Sequence, residues 1–518
     1  MSQKLQFTLD FEEDVNEYLA KKYPEYSSFR IISQSLDARN ANRGKRPKYH
    51  YVIEAIKNGE TFNELESLKN FSKHEAFPRK PVIVGAGPAG LFCALRLIEY
   101  GIPSIILERG ERAHKRMIHI SKFWRYGEFD SDNNVCYGEG GAGLFSDGKL
   151  ITRIKSPFVQ YVMDKLVEFG APKETAYMSN PHLGSNKIRK LIGEITEYLR
   201  TRGCEIYYNC RVDEIIVDSS KTKVQGVVCS DGKKFDSDHL ILATGHSAKE
   251  MYFHLQDLNV EMKSKDFAVG VRVEHPRRAI DFIQHGPFSE GHELGSARYR
   301  LSWENPETKK GTYSFCMCPG GYVLSSGTDS EGIVVNGMSN YARNSPWSNS
   351  ALVVSVESGK DFSTKDLMSG LRFQHDIEKK AYELSVEKAS GKEVPAQGLK
   401  DFLDDKSSEN LKAKTSCPSG IFGTDLNQVL PSFITDHLRS ALKDFDRKMN
   451  GFISNEALFL APETRTSAPL TILRDKETLE SPSIKGLYPC GEGAGYAGGI
   501  TSAAVDGIKV AESLIKFR

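Results

Sequence analysis

The chain has 518 residues, of which 39% are hydrophobic, 26% charged and 10% aromatic, with 44 glycines. That is enough apolar material for a sizeable core in several domains, and it excludes a small binding module, a disordered chain and a coiled coil. Lys and Arg number 69 against 68 Asp and Glu, a formal net charge of +1, so no global field draws the protein to nucleic acid or anionic lipid.

In chain order, residues 1–78 read as a small α/β unit: a helix over Asp14 to Lys22, strands over Phe29 to Leu36 and His50 to Ile56, a helical stretch from Phe62 to His74 and the breaker Phe77-Pro78. The basic loop between the strands carries Arg39, Arg43, Lys45, Arg46 and Lys48. A solvated hairpin loop is the commoner origin of such a run, so nucleic acid is not an expected partner. From Pro81 an apolar β-run, PVIVGAGPAG, leads into the helix LFCALRLIEY and a second β-run, SIILERG, the length of a parallel crossover unit. A helix over Lys187 to Arg202 with the strand CEIYYNCRV, and the strand HLILATGHS, extend the same layer. Between Asp266 and Tyr341 short β-runs (FAVGVRVEH, GTYSFCMC, GYVLSS, GIVVNGMS) alternate with Gly-rich turns and predict an antiparallel sheet. Helical periodicity follows over 362–450, and the chain closes on a Gly-rich loop and a helix. The stretch 81–98 is the longest apolar run, but Arg96 and its Gly/Pro residues make it strand, turn and helix, so no membrane span is expected. Nine dispersed cysteines, and a start without a basic segment followed by an apolar one, fit reduced thiols in a cytoplasmic setting.

Gly85, Gly87 and Gly90 stand in GAGPAG directly after a strand and at the opening of a helix. In that context the first permits a tight turn, the second lets a pyrophosphate approach the backbone, and the third lets helix pack on sheet. Glu108 ends the second β-run, where a carboxylate accepts the hydroxyls of an adenosine ribose. ILATG (241–245) and GLYPCGEGAGYAGG (486–499) have the form of the remaining parts of a two-dinucleotide-type FAD fold. Glu492 stands where an Asp is more usual, and the helix from Ile500 points its N-terminus at the flavin, favouring the anionic reduced form. No second GxGxxG with its own strand and acid follows residue 150, so NADH or NADPH, if it reduces the flavin, docks transiently.

GAGPAGLFCALRLIEYG, FWRYGEFDSDNNVCYGEGGAGLFSDGKLITRIK, PHLGSNKIRKLI, FCMCPGGYV, VNGMSNYARNSPWSNSALVV, APETRTSAP and CGEGAGYAGGITSAAVDG resemble a widespread bacterial family of FAD-dependent dehydrogenases, over nearly the whole chain. The resemblance implies FAD and oxidoreductase chemistry and names no substrate. It lays Tyr137 to Lys149 along the pyrophosphate and flavin edge and puts a backbone contact to adenine at Val212. The FAD contacts expected are Gly85, Gly87, Pro88, Ala89, Gly90, Glu108, Arg109, Gly140, Gly141, Ala142, Gly143, Ser146, Val212, Thr244, Gly245, Gly491, Glu492, Gly498, Gly499 and Ile500.

Three residues are candidates for the chemistry. Arg465, on a stiff Pro-flanked loop, clamps a substrate carboxylate or pairs with Glu463 or a backbone carbonyl as structure. Lys149 stabilises charge near the flavin, or the turn is simply held by Asp147; His182 titrates beside a helix N-terminus, or merely caps it. Cys316 and Cys318 lie two apart on a strand; a disulfide across one residue is strained and no basic group adjoins the pair to lower a thiol pKa, which argues against a dithiol centre and, without a His pair, against a metal site. The expected architecture is a Rossmann-like FAD-binding domain (79–255 plus 455–518), an inserted α+β substrate domain with an antiparallel sheet (256–454) and the small N-terminal domain. The expected function is a FAD-dependent oxidoreductase acting on a small molecule in the cleft, with NAD(P)H or the substrate as electron donor. Two rivals are a structural or regulatory flavoprotein that binds a partner such as RNA through its N-terminal domain, and a flavin monooxygenase.

Overall fold

A computed structural model describes residues 2–62, 72–290 and 294–517. Most of the helical stretch expected from Phe62 to His74 lies outside these residues. The N-terminal unit is a three-stranded antiparallel sheet in which Lys48–Ile56 runs between Gln3–Asp10 and Ser28–Asp37. Its first strand was not anticipated. One helix, Val15–Lys22, covers the sheet, capped by the Asp14 carboxylate, which accepts from the Asn16 and Glu17 amides. In the basic loop Arg39 pairs with Asp37, and Arg46 with Asp10 and Glu12, so these two cations are already neutralised. The unit touches both other parts of the molecule: Gln34 forms a β-bridge with Met178, and the Asn42 amide donates to the Ile283 carbonyl at 3.1 Å.

The nucleotide unit centres on a parallel sheet in the order Leu487–Pro489, Leu240–Leu242, Val82–Val84, Ile105–Leu107, Glu205–Tyr207. These short strands are almost wholly apolar because both faces of the layer are covered, one by helices and the other by a small antiparallel sheet with the helix Lys249–Asp257. Helix Pro88–Glu99 lies against the C-terminal helix Ile500–Lys516 at very close range, since a Cβ on Gly507 would stand 2.0 Å from the Ala89 carbonyl oxygen. The run CEIYYNCRV is not one strand. Asn209, at φ +51°, ends Glu205–Tyr207 and redirects the chain into a separate antiparallel sheet beginning at Val212–Val217.

The inserted part is built on a seven-stranded sheet that includes Phe267–Pro276, Gly311–Cys318, Trp347–Val356, Val394–Gly398 and Leu458–Glu463, with helices Ser369–Lys388 and Ser432–Lys448 packed on its apolar core. Two expectations need correction. Tyr322–Ser325 and Val335–Met338 form their own hairpin instead of joining this sheet. Residues 458–463, which the sequence placed with the FAD-binding part, pair with Phe267–Pro276 and Val394–Gly398 and belong to the inserted sheet.

Candidate functional site

Val82–Val84 has parallel neighbours on both sides, so winding reverses at its C-terminal end and leaves a crevice there. The glycines divide into two kinds at this point. Gly85 (φ +108°) and Gly90 permit internal packing, because an added Cβ would lie 2.4 Å from the Ala243 oxygen or 2.0 Å from the Gly85 oxygen. Gly87, which precedes Pro88 at the start of the helix, instead faces space: its Cβ would meet nothing nearer than the Gly141 Cα at 3.9 Å. Gly245, Gly498 and Gly499 are likewise open within 4 Å. The flanking segments close around this space. A Cβ on Gly491 would stand 2.8 Å from Ala89 Cβ, one on Gly143 3.1 Å from Ile500 Cγ1, and one on Gly493 2.3 Å from the Gly245 oxygen. Thr244 and Gly245 therefore abut the CGEG loop, while the loop containing Gly140, Gly141 and Ala142 meets both helix N-termini. The Ser146 hydroxyl holds this loop's exit, donating to the Gly143 carbonyl and accepting from the Gly148 amide. A channel that side chains would fill, ending on two helix N-termini, fits a dinucleotide pyrophosphate.

Two buried side chains fix this channel from behind. Glu108 accepts from the Ala86, Gly110 and Gly138 amides at 2.9, 3.0 and 2.9 Å. A carboxylate has about four lone-pair sites, so it retains room for one ribose hydroxyl and not the pair anticipated. Arg116, fully buried, donates to the carbonyls of Asn134, Val135, Gly138, Glu139 and Gly141. At the far end a cavity of about 460 Å³ is lined by Arg109, Tyr137, Val212, Ser247, Lys249 and Asp329 among others. There the Arg109 guanidinium lies over Tyr137, 3.8 Å from its ring centre, and pairs with Asp132 and Glu250.

Lys149 and His182 come together, joined by a backbone bridge. The Lys149 ammonium donates to the Met317 carbonyl and lies 3.5 Å from Asp147. Asp147 is itself gripped by Arg343 and Ser339; burial pushes its carboxyl up, but Lys149 and Arg343 outweigh it and hold the group below its usual range. The His182 Nε2 donates to the Tyr341 carbonyl at 3.0 Å and the ring stacks on Tyr341, while burial and the Arg343 charge push its pKa down to about 4. At that value the imidazole is neutral at neutral pH. Burial pushes the Glu492 carboxyl up to about 7, opposed by Lys265 and reinforced by Cys316.

Arg465 sits elsewhere, and its guanidinium is occupied. Nε and one terminal nitrogen donate to Glu378 at 2.9 and 2.6 Å, and the other terminal nitrogen donates to Thr328. Its guanidinium is not free to clamp a carboxylate, and Glu463, one of the structural partners anticipated for it, pairs with Arg272. Asp329, His375 and Glu378 bring potential ligand atoms within 4.8 Å of one another, but Lys249 and Arg465 already ion-pair with their carboxylates.

The main residues missed from sequence are Arg116, Glu378, Arg343 and Arg272. Only Arg272 left a trace, a lone cation inside the apolar run FAVGVRVEH. It is fully buried, donates twice to Glu463 (2.8 and 3.1 Å) and reaches Asn349 at 2.8 Å and the Cys316 carbonyl at 3.2 Å. The inference that no basic group adjoins the cysteine pair is therefore overturned: strand pairing brings Arg272, and the glycine loop brings Lys149.

Residues 79–248 match the pyridine nucleotide-disulphide oxidoreductase family model, and residues 266–466 match that of the FAD-dependent protein, C-terminal domain-like family. An uncharacterized protein of Clostridium beijerinckii is 39% identical over 505 residues, covering 95% of this chain and 93% of that protein. Among solved structures, the FrdA subunit of Escherichia coli quinol fumarate reductase is 10% identical over 86% of this chain and 71% of its own, at a TM-score of 0.37. L-amino acid deaminase from Proteus myxofaciens in complex with anthranilate is 12% identical over 87% and 93%, at 0.34. No helix among the described residues is long and apolar enough to cross a membrane.

Proposed function

Because this chain belongs to a family of FAD-dependent oxidoreductases, we propose that it moves hydride between flavin N5 and a small molecule held against Lys149, Glu492 and the Cys316 turn. NADH, NADPH or the substrate itself is the hydride donor. Bound FAD supplies the two-electron chemistry; the chain's residues position, desolvate and balance charge.

The observation that carries the reading is the Lys149 ammonium tied to the Cys316 turn at the Met317 carbonyl, with Glu492 within electrostatic reach of Cys316 and a helix start open at Gly498 and Gly499. With a pKa of about 7, the Glu492 carboxyl exchanges a proton at working pH, the property a general acid or base requires. Lys149, fixed between Asp147 and the Met317 carbonyl, presents a cation where substrate charge develops. The start of helix Ile500–Lys516 favours negative charge in the same place. Gly87, Gly141 and Gly143 hold the pyrophosphate, Glu108 one ribose hydroxyl, and the Val212 end the adenine.

Anaerobic mixing of the FAD-loaded protein with NADH and with NADPH in a stopped-flow cell tests this. Rapid bleaching of the flavin by one of them is expected. A flavin untouched by either removes the nicotinamide half of the reading, and one also untouched by a panel of alcohols, amines and hydroxy acids removes the whole.

A further inference from the structure

We propose that Cys316 and Cys318 are a redox-active pair that cycles between dithiol and disulfide and exchanges two electrons with the flavin. Neither sulfur lies in the stretch that matches the pyridine nucleotide-disulphide oxidoreductases, residues 79–248. The proposal rests on the placement of the flavin against Glu492 given above.

The backbone is the first ground. In a straight strand, residues two apart have Cα atoms about 6.6 Å distant, at the outer edge of what a disulfide spans. Here the strand Gly311–Cys318 breaks register against Trp347–Val356 between Phe315 and Cys318, and Cys316 adopts φ +45°, a left-handed conformation that a residue with a side chain rarely takes. The turn folds the run back, so that the Cys318 thiol donates to the Cys316 carbonyl oxygen at 3.3 Å. A packing role asks for none of this.

The charges are the second ground. Arg272 holds the bulge from below, 3.2 Å from the Cys316 oxygen and 3.8 Å from Cys318 Sγ, and its partner Glu463 keeps it in place. Lys149 is tied to the intervening Met317 carbonyl. The neighbouring Cys318 side chain, helped by the Lys149 and Arg272 charges, outweighs burial and pulls the Cys316 thiol below the usual range. Cys316 is partly exposed and Cys318 buried, so the outer sulfur is the attacking one.

The step balances as follows. With reduced FAD bound, the Cys316–Cys318 bond would accept two electrons and one proton from it and open to a Cys316 thiolate and a Cys318 thiol. That thiolate attacks an external disulfide of low molecular weight or on a protein, forming a mixed disulfide and releasing one thiolate. Cys318 then attacks Cys316 Sγ, its proton passing to the released thiolate, and the second thiolate leaves as the intramolecular bond re-forms. The hydride donor of the proposed function reduces the flavin again.

The test uses the FAD-loaded protein treated with diamide, desalted, and titrated anaerobically with dithionite. The wild type is expected to take up about four electrons per flavin, and Cys316→Ala and Cys318→Ala about two each. Alkylation and peptide mass spectrometry of the wild type check the same point without any variant: both cysteines resist alkylation in the oxidised protein and both react after the flavin is reduced. Full alkylation of Cys316 and Cys318 in the oxidised protein overturns the proposal. So does a four-electron uptake that persists in Cys316→Ala, which would place the second couple at Cys210 and Cys229, whose sulfurs lie 2.7 Å apart. Neither readout needs a nicotinamide, so failure here is separable from failure of the hydride-donor reading.

Discussion

Around the start of helix Pro88–Glu99 the molecule makes room by leaving side chains out: Gly87, Gly245, Gly498 and Gly499 border a channel that a Cβ would enter. Beneath Cys316 it does the reverse, filling the sheet with Glu463, Asn349 and Asn336, whose side-chain oxygens all accept from the buried Arg272 guanidinium. The first arrangement costs little folding free energy and gives its return only when a ligand arrives. The second carries the desolvation of two charges and is stable only while every partner is present. The ligand-holding region should therefore tolerate mutation in fold but not in function, and the polar floor the opposite.

Arg272→Met gives the largest effect, because it strands the Glu463 carboxyl. Denaturant unfolding should show a loss of about 3–5 kcal/mol, most of it recovered by adding Glu463→Leu; a double variant no better than the single one would break the contrast. Gly87→Val should lower FAD affinity by about 100-fold or more, roughly 3 kcal/mol, while the apoprotein melts close to the wild type. A yellow, fully loaded Gly87→Val protein would sink the cradle assignment.

Glu492 sharpens the comparison because it is a half-buried acid on the ligand side. Its carboxyl is raised from the usual carboxylate range to about 7, so between about pH 4.5 and 7 the folded apoprotein keeps a proton that the unfolded chain releases. Stability should fall as pH rises through that window, and Glu492→Gln should flatten the fall in thermal scans of the apoprotein. His182→Asn is the smallest change, a loss of about 1 kcal/mol for one neutral hydrogen bond. With its pKa near 4, His182 should leave the pH profile of flavin reduction unaltered between pH 6 and 8; a moved profile would return it to the chemistry.

What was legible in the sequence follows the same division. The glycine cradle is a local device: Gly85, Gly87 and Gly90 act within one turn of a strand–helix junction, and spacing alone announces them. Glu108 was placed correctly at the strand end but given too much freedom, because its acceptance of the Gly138 amide comes from a distant loop. Arg465 and Glu463 stand two apart in sequence and suggest a pair. Sheet pairing sends Glu463 to Arg272, and the helix Ser369–Lys388 presents Glu378 to Arg465. Cys316 shows the limit most clearly, since the two cations near it arrive from another strand and another domain, and its left-handed turn has no glycine to signal it.

Arg116 has one more implication. Five carbonyls of the glycine loop converge on a cation that lies wholly inside the protein, so the loop's shape is settled by the protein before a cofactor reaches it. Such a mould can be emptied and refilled. Stripping the flavin should leave a receptive vessel, open to substitution by modified flavins of altered potential without refolding the chain around them.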